Sequence, residues 1–175
     1  MNKLQIYTTF RNVPTFEGGF PSDHLSFHPM PGHFKYTVIG NSDVLTEPGS
    51  QWFAVHFDTR SSSGYYFNSY GLFPLVLVIH ILQRNCIMWC CNTRTLRGFT
   101  TVLCGQYVCV FKLCMALGLS PYEFVELFGT VKSDLQLETA FLTVFGGRRQ
   151  GATNAASEAV IAARAGKLCI NQSRE

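Results

Sequence analysis

The chain has 175 residues, 47% of them hydrophobic, 14% aromatic and 14% charged, with a formal net charge of +3. That length suits one domain with a sizeable core, and the low charge with many aromatics excludes a disordered chain and points to a compact α/β or α+β domain. The mild positive charge permits contact with nucleic acid without indicating it.

In chain order, residues 1–20 read as an extended arm broken at Asn12-Val13-Pro14 and Gly18-Gly19. Pro21 to Leu25 starts a short helix or turn, with Ser22 or Asp23 as its cap. Phe34 to Ile39 is a strand, ended by Gly40-Asn41-Ser42-Asp43. Glu47-Pro48-Gly49-Ser50 is a turn, and Gln51 to Phe57 is a strand rich in aromatic and β-branched residues. Ser61-Ser62-Ser63-Gly64 is a hairpin loop. Tyr65 to Ser69 is the next strand, closed by Gly71.

The run from Leu72 to Cys91 is the most hydrophobic part of the chain. Pro74 and Gln83-Arg84-Asn85 leave it without the roughly 18 uninterrupted apolar residues of a membrane span. It reads as a buried helix, a turn at Arg84-Asn85 and a short strand from Ile87 to Cys91. Asn92 to Val102 is a polar connection. Ser120-Pro121-Tyr122-Glu123 carries serine at the N-cap, proline at N1 and glutamate at N3, a strong helix start. A further start at Ser133 leads into Leu137 to Phe145. The packed domain is expected over residues 1–147. Residues 148–175 read as a weakly packed tail, with a short helix at Ala155 to Ala165.

The seven cysteines are an odd number. The N-terminus lacks a charged segment followed by an apolar one, so no secretory signal is expected. An intracellular, reducing compartment with free thiols follows. Cys86, Cys90 and Cys91 lack paired C-x2-C spacing, and Cys90 and Cys91 on one strand point to opposite faces. No metal or other cofactor is expected.

One cysteine stands apart. Cys104 is followed by Gly105 where a polar segment gives way to an apolar helical run. A helix N-terminus offers unpaired N–H groups and the positive end of the helix dipole, which suits a thiolate nucleophile. Cys109 and Cys114 follow at five-residue spacing, fall on different helix faces and read as core filler.

The order of short motifs resembles the adenovirus-type (adenain-like) cysteine proteases, and most closely those of Maverick/Polinton transposons and adintoviruses. The stretches are Phe20-Pro21-Ser22-Asp23-His24-Leu25, Asn41-Ser42-Asp43, Glu47-Pro48-Gly49-Ser50-Gln51-Trp52, Tyr66-Phe67-Asn68-Ser69-Tyr70-Gly71, Arg84-Asn85 and Cys104-Gly105-Gln106-Tyr107. They cover about residues 18–145. The resemblance implies an α+β fold, with a central mixed sheet packed against the nucleophile-bearing helix. It also implies a Cys-His-acid arrangement with a glutamine at the oxyanion hole.

On that resemblance Cys104 takes the nucleophile position. The histidine position, directly before the strand tryptophan, holds Gln51. The acid position holds Asn68, and the oxyanion glutamine position, seven residues before the cysteine, holds Arg97. Trp52 and Gly105 line the site, Trp52 doubling as a sheet-packing aromatic. An amide has no pKa useful for base catalysis, Asn68 has no charge to hold an imidazolium, and Arg97 cannot replace the missing base.

Other histidines are poor substitutes. His56 lies five residues after Gln51, an odd offset that places it on the other face of the strand, pointing away from Cys104 as a partly exposed residue. Asp58 pairs with Arg60. His80 is a core histidine, and His24, His28 and His33 lie on the N-terminal segment. Arg84, Arg94, Arg97 and Lys112 read as solvated surface charge, too dispersed for a DNA-binding cluster.

The leading expectation is a protease homologue of a viral or transposon element, catalytically impaired. Its partners would be peptides or viral capsid precursor proteins, in the host nucleus or virion, with DNA not indicated and no membrane. The alternatives are an active cysteine endopeptidase with a substitute base, processing capsid precursors, and a non-catalytic structural or peptide- or DNA-binding domain.

Overall fold

The computed structural model describes residues 6, 8, 16–25, 34–44, 51–96 and 103–128. In chain order the elements are β1 (Phe16–Pro21), α1 (Ser22–Leu25), β2 (Lys35–Asn41), β3 (Trp52–Asp58), β4 (Ser63–Asn68), α2 (Val76–Asn85), β5 (Met88–Cys91), α3 (Cys104–Ala116) and α4 (Pro121–Phe128). The five strands form one sheet in sequential order. β2, β3 and β4 are an antiparallel meander, flanked by β1 parallel to β2 and β5 parallel to β4. The fold is α+β, as expected, with a mixed sheet.

β3 reads Trp-Phe-Ala-Val-His-Phe because both of its faces are covered. A strand buried on two sides loses the apolar–polar alternation of a half-solvated one. Ile39, Trp52, Ala54, Tyr65 and Phe67 pack with α3 and α4 on one face. Tyr36, Val38, Phe53, Val55, Phe57 and Tyr66 pack with α1 and α2 on the other. The first layer is fastened by aromatic rings. Phe67 stacks on Phe111 at 4.5 Å, and Phe124 meets both edge-on at 5.2 and 5.1 Å. Each such pair contributes about 0.5–1.5 kcal/mol beyond area burial.

Local signals set the helix ends. At α4, Glu123 Oε2 accepts from Ser120 N at 2.8 Å, and Glu123 N donates to Ser120 Oγ at 3.2 Å. This is the reciprocal capping box that the spacing predicts. α3 stops at Gly118, whose φ of +85° suits the residue after a helix end. Gly118 N donates to Met115 O and Leu119 N to Cys114 O, at 3.1 and 3.0 Å, satisfying carbonyls the helix leaves open.

Three expectations need correction. The N-terminal arm is not simply extended: Ile6 and Thr8 are helical, and Ile6 is fully buried beside Trp52. The helix after Leu72 is not a buried one. Only Val78, Ile81 and Leu82 are buried, the one stripe that an i, i+3, i+4 spacing turns toward a sheet. Leu72, Phe73, Leu75, Val76 and Leu77 are exposed. The expected turn at Arg84-Asn85 is helix through Asn85, whose Nδ2 donates back to Ile81 O at 2.7 Å.

Cys90 and Cys91 do part to opposite faces of β5. The Glu47–Ser50 turn, the helices expected after Ser133 and at Ala155–Ala165, and the boundary between 1–147 and 148–175 lie outside the described residues. Among the described residues no helix is long and apolar enough to cross a membrane.

Candidate active-site scaffold

The β3–β4 hairpin brings two of the expected positions together. Phe53 pairs with Asn68 in the antiparallel register, so the residue entering β3 and the residue ending β4 share one end of the sheet. There Gln51 Nε2 donates to Asn68 Oδ1 at 3.2 Å. Both partners are neutral amides, so the bond joins two groups that neither gain nor lose a proton.

Asn68 is 2% exposed and its polar groups are engaged. Oδ1 also accepts from Tyr70 N at 2.8 Å, and Nδ2 donates to Tyr66 Oη at 3.2 Å. Burial pushes the Tyr66 phenol up to about 12, although the Asn68 contact works the other way, so the hydroxyl stays protonated. The backbone of Asn68 is clamped by Asn92, which accepts from Asn68 N at 2.9 Å and donates to Asn68 O at 2.7 Å. Asn92 Nδ2 also donates to Arg94 O at 3.0 Å. Gly71 closes the turn with φ +69°, and its N–H donates to Asn68 O at 2.8 Å. A Cβ there would sit 2.8 Å from Thr93 O, so only glycine lets the segments after β4 and β5 approach so closely.

Cys104 is the first residue of α3, as expected, with Gly105 buried behind it. No side chain caps this helix end, and its first turn carries no acidic residue. Cys104 is 7% exposed and shares an apolar cluster with Trp52, itself 4% exposed. Cys109 and Cys114 are core residues on the same helix, and burial drives the Cys109 thiol far up, favouring the neutral S–H. Gln106 in the first turn keeps a buried Oε1 without a partner among the described residues.

Arg97 lies outside the described residues, but the chain leading to it is pinned. Leu96 N donates to Ser69 O at 2.9 Å, next to Asn68. Leu96 O accepts from Tyr107 Oη at 2.8 Å, one turn into α3. Hydrogen bonds therefore link Gln51 to Asn68, the segment after Asn68 to the residue before Arg97, and that residue to the helix that Cys104 opens. Asn92, Tyr66 and Tyr107 are the positioning residues that motif reading did not single out. Tyr107 stood inside a quoted motif, whereas Asn92 carried no signal beyond following a strand.

The histidines are placed differently from expectation. His56 is buried, and its Nδ1 lies 2.9 Å from Thr37 Oγ1. Its face is the one α3 covers, since it lines a cavity with Met115 and Leu119. The parity relative to Gln51 is right, but distance, not face, separates it from the candidate site. Five residues of strand span roughly 16 Å. Burial first, then Lys35, holds the His56 imidazole down to about 4, so it is neutral at physiological pH.

Asp58 pairs with Lys35 at 3.3 Å, not with the Arg60 side chain, whose guanidinium lies 4.3 Å from the centre of the Phe34 ring. Burial pushes the Asp58 carboxyl up, but Lys35 and the Ser61 and Arg60 N–H groups outweigh it and lower the value. His80 and His24 are exposed, so His80 is no core histidine; His28 and His33 lie outside the described residues. Lys112 is not surface charge. It is 1% exposed, and its ammonium donates to Thr37 O at 3.5 Å. The six described cysteines are free thiols, and no cluster of three metal-ligating side chains occurs among the described residues.

No family model and no curated protein matches the chain. Two crystal structures of the ASFV pS273R protease, one in selenomethionine form, match part of it. TM-scores are 0.45 and 0.46, with 23% and 20% identity over 53% and 57% of this chain. The match spans only 38% and 40% of those chains. At these values the likeness assigns neither an activity nor residue roles to this protein.

Proposed function

We propose that the chain is a cysteine-protease-type scaffold of a viral or transposon element whose site no longer carries acid–base chemistry. Cys104 occupies the nucleophile position, Gln51 that of the histidine, Asn68 that of the acid and Arg97 that of the oxyanion glutamine. The Gln51–Asn68 hydrogen bond carries this reading. Two positions picked from motif order alone meet, donor to acceptor, in the arrangement a His–acid pair needs. Neither amide can take the thiol proton, so the remaining role is binding, with a peptide or a capsid precursor protein as partner. Peptidase activity near neutral pH is absent.

The pocket of Asn68 is ready for a carboxylate. Tyr70 N, the residue-51 side chain and the Tyr66 hydroxyl all stand where they can donate to it. The test is therefore reconstruction: Gln51→His, Asn68→Asp and Arg97→Gln together. Alkylation of Cys104 by a peptide electrophile should rise, and turnover should follow. A positioned base typically contributes about 10²–10⁴-fold in rate. No gain in Cys104 labelling in a folded triple variant would overturn the scaffold reading. Peptide cleavage by the unaltered chain that is lost in Cys104→Ser would show an active enzyme with another base.

A further inference from the structure

A cavity of about 550 Å³ opens at the opposite end of the sheet from Gln51 and Asn68, between the ends of β3, β4 and β5 and the α3–α4 junction. That volume falls in the range of small-molecule sites, about 300–1,000 Å³. Its wall carries two tyrosine rings, Tyr65 and Tyr122, and the thioethers of Met88 and Met115. Tyr65 and Tyr122 meet edge-on at 5.6 Å, and Tyr122 Oη lies 3.2 Å from Cys90 Sγ. Rings and thioethers favour the edges and faces of another aromatic ring.

The charged groups of the wall are already matched. Lys35 is paired with Asp58, Glu123 is held by the Ser120 capping box, and His56 is engaged by Thr37 and neutral. An anionic ligand would lose its hydration without gaining a counter-charge, and a cationic one would meet a Glu123 oxygen already accepting from Ser120 N and Oγ. We propose that this cavity is a binding site for an uncharged aromatic small molecule, separate from the Cys104 scaffold. Its place in the fold makes it independent of whether that scaffold ever turns over a peptide.

The test uses the full chain and two dyes that differ by one charge: N-phenylnaphthylamine and its sulfonate analogue, anilinonaphthalene sulfonate. The neutral dye should bind saturably at one equivalent, and the sulfonate at least roughly tenfold more weakly. Ser63→Trp, which projects a ring into the cavity from the first residue of β4, should abolish the neutral dye's site. Bound dye should slow alkylation of Cys90 by N-ethylmaleimide and leave Cys86, which does not line the cavity, unchanged. Four results would overturn the proposal. They are no saturable binding, equal affinity for the two dyes, undiminished binding by a folded Ser63→Trp, and unprotected Cys90. Should Ser63→Trp fail to fold, the Cys90 protection and the dye pair decide alone.

Discussion

The two ends of β3 are built from different chemistry. Where the strand begins, Gln51, Asn68 and Asn92 form a network of amides and backbone groups whose one ionisable neighbour, the Tyr66 phenol, is held up at about 12 and stays protonated. Where it ends, His56, Asp58 and Lys35 gather with Glu123 and Tyr122 around a cavity. The imidazole and carboxylates described on this face thus sit roughly 16 Å along the strand from the end that Gln51 and Asn68 occupy. The lesson is that a chain's stock of histidine and carboxylate says little about chemistry until each is placed on its strand. The contrast also makes a physical claim: one end responds to pH and the other does not.

The largest effect expected from it lies at His56. Burial holds the folded-state value near 4 against the ordinary 6.5, so the unfolded chain takes up the proton first as pH falls. Stability is therefore complete above about pH 6.5 and declines as pH drops toward 4, by about 3 kcal/mol in all. Urea denaturation of the unaltered chain and of His56→Gln across that window should show the steeper decline in the former. Parallel curves would place the pH response elsewhere.

At the amide end, Asn92→Ala leaves the Asn68 N–H and C=O without their side-chain partner. About 1–3 kcal/mol should be lost, and the loss should be the same at pH 5 and pH 8. A strongly pH-dependent loss, measured by the same denaturation, would mean that a titrating group reaches this network and would break the comparison. The smallest effect is at the capping box. Ser120→Ala should cost about 1 kcal/mol, shrinking at acid pH where a protonated Glu123 accepts less well from Ser120 Oγ. Thermal melts at neutral and acid pH check it.

What could be read before any coordinates follows the range of the interaction. The Ser120–Glu123 box spans three residues and was legible in full, as were the start of α3 at Cys104 and the parting of Cys90 and Cys91. The pairing of Gln51 with Asn68 was legible only through the resemblance, because register depends on a hairpin that composition does not count. Parity placed His56 on the face away from Gln51, but which face a helix would cover is a tertiary fact, so its burial against Thr37 was missed. Lys112 was misread for a related reason. An ammonium inside an apolar helix is tolerable only where a backbone carbonyl such as Thr37 O meets it, and that carbonyl is 75 positions away in sequence. α2 erred in the other direction: hydrophobicity suggested burial, whereas only one stripe of it finds the sheet.

The cysteines of α3 have a use that no function requires. Cys109 and Cys114 are 0% and 1% exposed, so each reacts with a thiol reagent only when its part of the helix opens. Rates of reaction under native conditions then convert to opening free energies, as amide exchange does. Equal values at Cys109 and Cys114 would mark the helix as a single cooperative unit. A lower value at Cys114 would mark the last turns as more easily opened than the middle. The chain thus carries its own gauge of local stability along the element that anchors its core.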